Sequence, residues 1–180
     1  MPYLGNQHIV GDSVRNFKVL DDISSHTATF DGSSASVVST SDNTIRIINH
    51  RFVQGQRVVY SNGGGGNING LTANAYYIIK DSPHTFKLAA NESDAASLTP
   101  INLTSVGSGS SHTLRVSFDG VNKKFKATHS SGNKTHIHHA TQLSVSINNV
   151  PQRPNDNLTF TEGFAVENKS IIVFKQAPIP

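Results

Sequence analysis

SHTATFDG at residues 25–32 and SHTLRVSFDG at residues 111–120 are two versions of one phrase, and they mark how the chain is divided. In each version a strand-like run ends in a phenylalanine, Phe30 or Phe118, and an Asp-Gly pair follows. Asp-Gly suits a tight hairpin turn because both residues tolerate a positive φ. The repeat therefore predicts that a β-hairpin begins at each version.

The composition of the whole chain favours β-structure. Hydrophobic residues make up 36% of the 180 residues, and serine, threonine, asparagine and glycine are abundant. Such a composition suits short strands with polar turns better than helices, which use alanine, leucine, glutamate and lysine. Because the chain has no cysteine, neither a disulfide framework nor a thiolate metal site can form. The sequence thus predicts an all-β protein with little helix.

Charge and hydropathy argue against two classes of partner. The 15 basic and 12 acidic residues are scattered, without the Lys/Arg block that follows a phosphate backbone. No stretch of 18 apolar residues is present to span a bilayer, and residues 1–20 lack the features of a signal peptide. We therefore predict no nucleic-acid binding and no membrane insertion. The missing signal fits a virion component released by lysis and a cytoplasmic protein equally well.

Strand-like runs follow one another from residue 27 to residue 116. The runs TIRII, RVVYS, YYII and TFKL are rich in β-branched and aromatic residues, and Asp81-Ser82-Pro83 marks the turn between the last two. Further strands are predicted at residues 101–103 and 112–116, and one helical turn at residues 92–96. Short strands at close spacing with polar turns are typical of a small barrel or sandwich.

A second series of strands covers the end of the chain. In LSVSINN, Leu143, Val145 and Ile147 alternate with polar residues, which is the period of a strand with one buried face. Asn148-Asn149 then forms a turn.

The first 22 residues show no sustained period and predict an extended arm that needs a partner surface. The predicted organisation is an arm (1–22), a first β-module (23–116) containing a Gly/Asn/Tyr-rich unit (43–114), and a second β-module (117–180).

Catalytic patterns are weak throughout the sequence. The glycine-rich SNGGGGNINGL at residues 61–71 lacks the Gly-Lys-Ser/Thr of a phosphate loop, so a flexible loop is predicted. No Gly-x-Ser-x-Gly is present for nucleophilic catalysis. Asp31 and Asp119 are candidates for the carboxylate pair of a glycoside hydrolase, but each lies in a turn that favours aspartate for backbone reasons. We therefore predict no catalytic residue, no cofactor and no enzymatic activity.

The cluster THIHHAT is the candidate metal site. His136 and His138 are two residues apart and would project from one face of a strand. Around a threefold axis, one such pair from each chain would supply six nitrogen ligands to a divalent metal. However, His139 breaks the spacing, and no nearby carboxylate is present to orient the rings. Exposed loop histidines are the favoured interpretation, and no metal is predicted.

Two longer stretches carry a recognisable series of motifs. Residues 43–114 contain NHRF, GQ, VVYS, GLT, YYII, TFKLA and a closing GSGSSHTL, and the later stretch contains SFDGVNKKFKAT, LSVSINNVPQRPNDNLTF and IIVFKQAP. Together they resemble structural proteins of tailed-bacteriophage tails, especially tail fibres of phages that infect marine cyanobacteria. The matches cover most of the chain, and they are patterns of strands and turns.

The resemblance implies a non-enzymatic virion protein, located in the phage tail, that is a tail fibre or a connector between fibre and tail. It implies a homotrimer whose partners are other tail proteins, in the tail tube, adaptor, nozzle or baseplate, with host glycans contacted only indirectly. In the resembling module an FDG hairpin precedes a strand that ends at Phe125. Each version of the repeated phrase would then mark the boundary at which a β-unit begins.

Two sets of residues carry these expectations. Apolar anchors spread along the arm would dock on the tail: Tyr3, Leu4, Ile9, Val10, Val14, Phe17, Val19 and Leu20. Aromatic and β-branched residues are predicted to form the module cores: Phe30, Phe118, Phe125, Val145 and Ile147.

The alternative function is an adhesin-like, carbohydrate-binding β-module. Sugar sites commonly use exposed aromatic platforms, and because the chain has no tryptophan the candidates are Tyr60, Tyr76 and Tyr77. Tyr76 and Tyr77 point to opposite faces of any strand, so one of the two is expected in the core.

Overall fold

The computed structural model describes residues 25–127, 136–148 and 150–179. Within these ranges nearly all regular structure is β-strand, with one five-residue α-helix and one three-residue 3-10 helix. The prediction of an all-β protein with little helix is therefore confirmed. The predicted docking arm, residues 1–22 with its eight apolar anchors, lies outside the described residues.

Short strands make up the first two thirds of the fold. They are β1 (Ser25–Phe30), β2 (Val38–Ser39), β3 (Thr44–Arg46), β4 (Arg57–Ser61), β5 (Ala75–Lys80), β6 (Thr85–Ala89) and β7 (His112–Ser117), with helix α1 (Glu92–Ala96) between β6 and β7. The remaining elements are β8 (Lys124–Lys126), the 3-10 helix (Ala140–Gln142), β9 (Ser146–Ile147), β10 (Val150–Pro151), β11 (Pro154–Asn155), β12 (Phe164–Glu167) and β13 (Ile171–Phe174).

Seven strands form a curled sheet, the large sheet, in the order β1-β7-β4-β5-β6-β3-β2. All its neighbouring strands are antiparallel. Its two edge strands, β1 and β2, are consecutive in the sequence and separated only by residues 31–37. The curl is therefore consistent with a short connection that links the two edges of one sheet.

The first Asp-Gly pair does not form the predicted hairpin. β1 and β2 lie at opposite edges of the large sheet and do not pair with each other. The Asp31 carboxylate instead accepts hydrogen bonds from the N–H and the hydroxyl of Ser33, at 2.9 and 2.6 Å. Gly32 is not in a positive-φ conformation and is buried. The prediction is wrong because the local turn is satisfied by an aspartate side chain, which leaves strand pairing to distant residues.

The second Asp-Gly pair makes a turn, but it joins two different sheets. Asp119 Oδ1 accepts from the backbone N–H groups of Val121 and Asn122, at 2.9 and 2.7 Å, and Gly120 has φ of 74°. β7, before this turn, belongs to the large sheet, and β8, after it, belongs to a four-stranded sheet of order β11-β12-β13-β8, the small sheet. The hairpin prediction is therefore wrong at this turn as well.

Several local predictions agree with the structure. β5 and β6 pair as an antiparallel hairpin across the Asp81-Ser82-Pro83 turn, and the helical turn at residues 92–96 is α1. The alternation of Leu143, Val145 and Ile147 appears in their partial burial, although only Ser146–Ile147 is a strand. That strand pairs with β10, and Asn148 has φ of 50° in the intervening turn.

Residues 101–103 form no strand, which corrects the prediction made for them. The Ile101 N–H donates to the Leu88 carbonyl at 2.7 Å, and the Leu103 N–H donates to the Asn43 side chain at 2.8 Å. Backbone groups in this segment thus find different partners on different elements. A ladder with one neighbouring strand is not needed to satisfy them.

Both sheets contribute to one hydrophobic core. Phe30 is 6% exposed and Phe125 is fully buried, and they belong to the same cluster of buried side chains. Phe118, Val145 and Ile147 are partly buried and pack against that cluster. The two predicted modules therefore meet along a shared core.

Helix α1 ends in a strained way. Asn91 caps its start by accepting from the Asp94 N–H at 2.8 Å. After the helix, the Thr99 N–H donates to the Asp94 carbonyl at 2.8 Å, which places Leu98 in the left-handed conformation, at φ of 58°. Glycine is the usual residue there, because a side chain is disfavoured at positive φ. The Leu98 side chain is also 62% exposed.

Leu98→Gly is therefore expected to stabilise the protein. Removal of the left-handed strain should raise the free energy of unfolding by about 0.5–1 kcal/mol, measured by urea denaturation. Leu98→Ala is the matched control, since it removes the apolar side chain and keeps the strain. Equal gains in both variants would show that the exposed side chain, and not the backbone, carries the cost.

Candidate functional site: the seam between the repeated strands

The two versions of the repeated phrase pair with each other. β1 and β7 are antiparallel neighbours over six residues, with Ala28 opposite Leu114 and Phe30 opposite His112. We call this pair the seam. The seam places the start of the first predicted module beside its end. Each version of the phrase thus supplies one strand of the same ladder.

A buried hydrogen-bonded chain lies behind the seam. The Tyr60 hydroxyl is 2.8 Å from Nδ1 of His112, and Nε2 of His112 is 3.1 Å from the Ser108 carbonyl oxygen. The Ile68 N–H donates to the Tyr60 hydroxyl oxygen at 3.3 Å. Burial raises the pKa of Tyr60, so the hydroxyl keeps its proton and donates it to Nδ1. Nε2 of His112 then carries the hydrogen that it donates to the Ser108 carbonyl. The Tyr60 hydroxyl and both ring nitrogens of His112 therefore each have a hydrogen-bond partner.

The glycine-rich loop covers this buried chain. Gly66 exchanges two backbone hydrogen bonds with Ser108, both 3.0 Å, and the Asn69 N–H donates to the Ser105 carbonyl at 3.1 Å. Ile68 is fully buried. The loop was expected to be flexible, but it is anchored along its length by a second segment of the chain. Its glycines allow backbone to approach backbone closely.

Polar contacts join the large sheet to the small sheet. The Arg57 guanidinium forms an ion pair with the Asp119 carboxylate. Gln56, which is buried, donates through Nε2 to the Lys124 carbonyl at 3.0 Å. Lys124 also pairs with Glu167 within the small sheet, at 3.1 Å. With the shared core, these contacts set the orientation of one sheet on the other.

The candidate carboxylate pair is separated by the seam. Asp31 follows Phe30 at one end of β1, and Asp119 lies two residues beyond Ser117 at the opposite end of the pair. Six antiparallel residues span about 20 Å, whereas paired glycosidase carboxylates are about 5–10 Å apart. The two carboxylates therefore do not form a hydrolytic pair.

The candidate metal ligands lie in a loop and not in a strand. His136 and His138 are exposed, and Ile137 between them is 5% exposed. The His138 N–H donates to Oε1 of Gln142 at 2.8 Å, which directs the chain into the 3-10 helix. The described part of the chain contains no group of three or more histidine or carboxylate side chains that could hold a metal.

Two of the three candidate sugar platforms are core residues. Tyr60 and Tyr76 are 1% and 7% exposed. The Tyr76 hydroxyl donates to the Thr72 carbonyl at 3.1 Å and accepts from the Thr72 N–H at 2.8 Å. Tyr77 is half-buried and packs against a second small cluster, made of Ile79, Ala89 and Ala95 of α1. This agrees with the prediction that Tyr76 and Tyr77 point to opposite faces of the strand. The three tyrosines in the described part of the chain therefore offer no exposed pair for stacking.

The sequence did not indicate a cleft of about 330 Å³ on the second half of the chain. Its lining includes Gln152, Arg153, Glu162 and Gln176. Arg153 and Glu162 form a 2.8 Å ion pair whose side chains are 72% and 64% exposed. The lining comes from three separate segments, so no local motif marks it. Its ion pair is solvated, which makes it a weak anchor for a ligand.

Comparison with protein-family models, with curated proteins and with solved structures returned no match. Among the described residues, no helix is long and apolar enough to cross a membrane. The class that the geometry defines is a β-scaffold with a curled, seven-stranded antiparallel sheet whose repeated strands, β1 and β7, pair at one edge.

Proposed function

We propose that the protein is a non-enzymatic structural component of a phage tail, either a fibre or the connector that attaches the host-recognition apparatus. The observation that carries the proposal is the pairing of the two repeated phrases across the seam. A unit whose first and last strands are neighbours can be placed in series with other units without disturbing its interior. This arrangement supports a building unit.

The polar residues of the first module also favour a scaffold. His112 and Tyr60 are buried and bonded to each other, and Asp119 is paired with Arg57. Side chains whose polar atoms are bonded to other protein groups in this way stabilise the fold, and those atoms are not available to act on a substrate. The adhesin-like alternative has less support, because Tyr60 and Tyr76 are in the core.

In the proposed assembly, three copies associate around a threefold axis, and residues 1–22 dock each copy on another tail protein. The spread-out apolar anchors of that arm suit a long contact on a partner surface. A small β-unit gains stability when apolar area is buried between chains, at about 25 cal/mol per Å² before association costs. Light scattering on the purified chain tests the symmetry, and three times the monomer mass is expected.

Removal of residues 1–22 is expected to abolish incorporation into tails while the β-sheets stay folded. The measurement is immunogold labelling of tails on particles from cells that make either the tagged full-length chain or the tagged deletion variant. Circular dichroism of the two purified chains should agree, which controls for folding. Labelled full-length tails with unlabelled deletion tails support the proposal. Particles unlabelled by the full-length chain would overturn the tail role, and equal labelling would overturn only the docking role.

A further inference from the structure

Three histidine rings converge on the loop at residues 48–52, between β3 and β4. Nε2 of His26 is 2.9 Å from the His50 carbonyl oxygen. His50 Nδ1 accepts from the Phe52 N–H at 3.0 Å, and its Nε2 is 2.9 Å from the Ser82 carbonyl oxygen. His84 Nδ1 accepts from the Asn49 N–H at 3.1 Å. The backbone of this loop is therefore held by imidazoles from β1, from the loop itself and from the β5–β6 turn.

These partners assign the hydrogens on two of the rings. A backbone N–H can only donate, so Nδ1 of His50 and Nδ1 of His84 must both present a lone pair. A backbone carbonyl can only accept, so Nε2 of His50 carries the hydrogen that points at Ser82. His50 is thus neutral in one tautomer. A second proton on its Nδ1 would face the Phe52 N–H and break that hydrogen bond.

The surroundings of His50 oppose a positive charge. The ring is 2% exposed and lies between Phe52 and Phe86, with ring centroids 5.4 and 4.9 Å away. Burial lowers the pKa of His50, and the positive charges of Lys80 and Lys126 lower it further. The carbonyls of Ser82 and Thr85 act in the opposite direction and are outweighed.

The other ionisable groups around the loop do not offset this effect. The Asp81 carboxylate, at the end of β5, is bonded to the Thr85 hydroxyl at 2.7 Å. His26 directs Nε2 at the loop carbonyl, and Arg51 is an exposed cation of the loop itself. The charged groups that act on His50 are thus the cations Lys80 and Lys126.

The loop backbone is held in a conformation that it would otherwise leave. Asn49 and Arg51, on either side of His50, have φ of 53° and 61°, in the left-handed region. Arginine has no side-chain reason to adopt this conformation. In this conformation His50 is buried while Asn49 and Arg51 on either side of it are exposed. Loss of the imidazole bonds would let this strain relax.

We propose that the loop at residues 48–52 is a proton-sensitive latch, closed while Nδ1 of His50 is unprotonated and released when this atom gains a proton. Protonation removes the acceptor for the Phe52 N–H group and places a cation against two phenylalanines. Release frees the loop from the β5–β6 turn and uncovers Phe52. This device is independent of the role in a phage tail.

The direction of the pH dependence follows from the lowered pKa of His50. Above the unfolded value, about 6.5, both states are neutral at this ring, and the latch contributes its full stability. As the pH falls below about 6.5, the released state binds the proton first, and stability is lost down to the folded pKa. Acid therefore opens the latch.

Amide hydrogen exchange followed by NMR on the full chain tests the latch. The protection factors of the Asn49 and Phe52 amides are compared at pH 7.5 and pH 5.0, after correction for intrinsic exchange. That of Phe52 is expected to fall by up to about 30-fold, the factor 1 + 10^(6.5 − pH) for one ring of ordinary unfolded pKa. The Ile78 amide, bonded to the Gln56 carbonyl at 2.9 Å, is the internal reference. A fall no larger at Asn49 and Phe52 than at Ile78 would overturn the proposal.

Variants of His84 give the second test, because this side chain is exposed and its loss spares the core. His84→Asn keeps an oxygen acceptor for the Asn49 N–H group and leaves His50 in place, so Asn49 and Phe52 should keep the wild-type response to pH. His84→Ala removes the acceptor, so Asn49 should exchange quickly at both. His138→Asn replaces an exposed histidine elsewhere and should leave the wild-type response. Loss of that response at Phe52 in His84→Asn would show that His84, and not His50, carries the latch.

Discussion

Phe125→Ala is expected to lower the free energy of unfolding by about 3–5 kcal/mol and to destabilise both sheets together. Phe125 is fully buried in β8 of the small sheet, with ring centroids of Phe118 and Phe174 at 4.7 and 5.9 Å. The same core cluster includes Tyr60 and Leu114 of the large sheet. Truncation of Phe125 leaves a cavity in the core that both sheets share. The loss of packing energy therefore destabilises both sheets.

The positions of the tyrosines make this prediction measurable. Tyr60, Tyr76 and Tyr77 lie in the large sheet, and the chain has no tryptophan. In a Tyr3→Phe background, tyrosine fluorescence therefore reports unfolding of the large sheet, while far-UV circular dichroism reports both. With Phe125→Ala, both signals should move to lower urea concentration together.

Phe160→Ala is the matched control for this experiment. Phe160 is 9% exposed and lies outside the shared core cluster. Its truncation should shift the tyrosine transition less than that of Phe125. An unchanged tyrosine transition in Phe125→Ala, alongside a shifted circular dichroism signal, would mean that the two sheets unfold independently.

Gly65→Ala is expected to cost about 2–3 kcal/mol, although it lies in a tract of four glycines. A Cβ built on Gly65 would be 1.8 Å from the Ser108 carbonyl oxygen. Because that oxygen belongs to the backbone, no side-chain rotation can relieve the overlap. The loop would have to move away from the segment that anchors it over His112 and Tyr60. Thermal and urea denaturation would record the loss.

Gly66→Ala, one residue further on, controls for the loss of glycine itself. Neither glycine has a positive φ, and a Cβ on Gly66 would meet the Ser108 hydroxyl oxygen at 2.8 Å. That oxygen can rotate aside at the loss of one hydrogen bond from the Gly66 N–H, which costs about 1 kcal/mol. If both variants lost the same small amount of unfolding free energy, the loop would be flexible enough to accommodate a Cβ at Gly65.

Local signals predicted the elements that depend on neighbouring residues. The aromatic and β-branched runs on either side of Pro83 became β5 and β6, and residues 92–96 became α1, capped by Asn91. A proline that sets φ and an asparagine that caps a helix act within a few residues. Such local effects can be predicted from the sequence without knowledge of the fold.

The buried polar residues were missed, although one signal was present. His112 shares its strand parity with Leu114 and Val116, which are both core residues. Alternation therefore indicated a buried imidazole, and hence a partner such as Tyr60. Nothing local indicated that Tyr60, from β4, would be that partner. Nothing local indicated the partner of His50 either, since its ring is bonded to the carbonyl of Ser82, which lies in the β5–β6 turn.

The sequence by itself determined the all-β class, the positions of most strands and the turn at Asp81-Ser82-Pro83, because these follow from side-chain alternation and from residue preferences over a few positions. Only the tertiary structure decided that the repeated phrases pair with each other and not each within its own hairpin. It also decided that the two sheets share one core and that three histidines meet at one loop. These features depend on contacts between residues far apart in the chain, whose partners are selected by packing and by the satisfaction of buried polar groups.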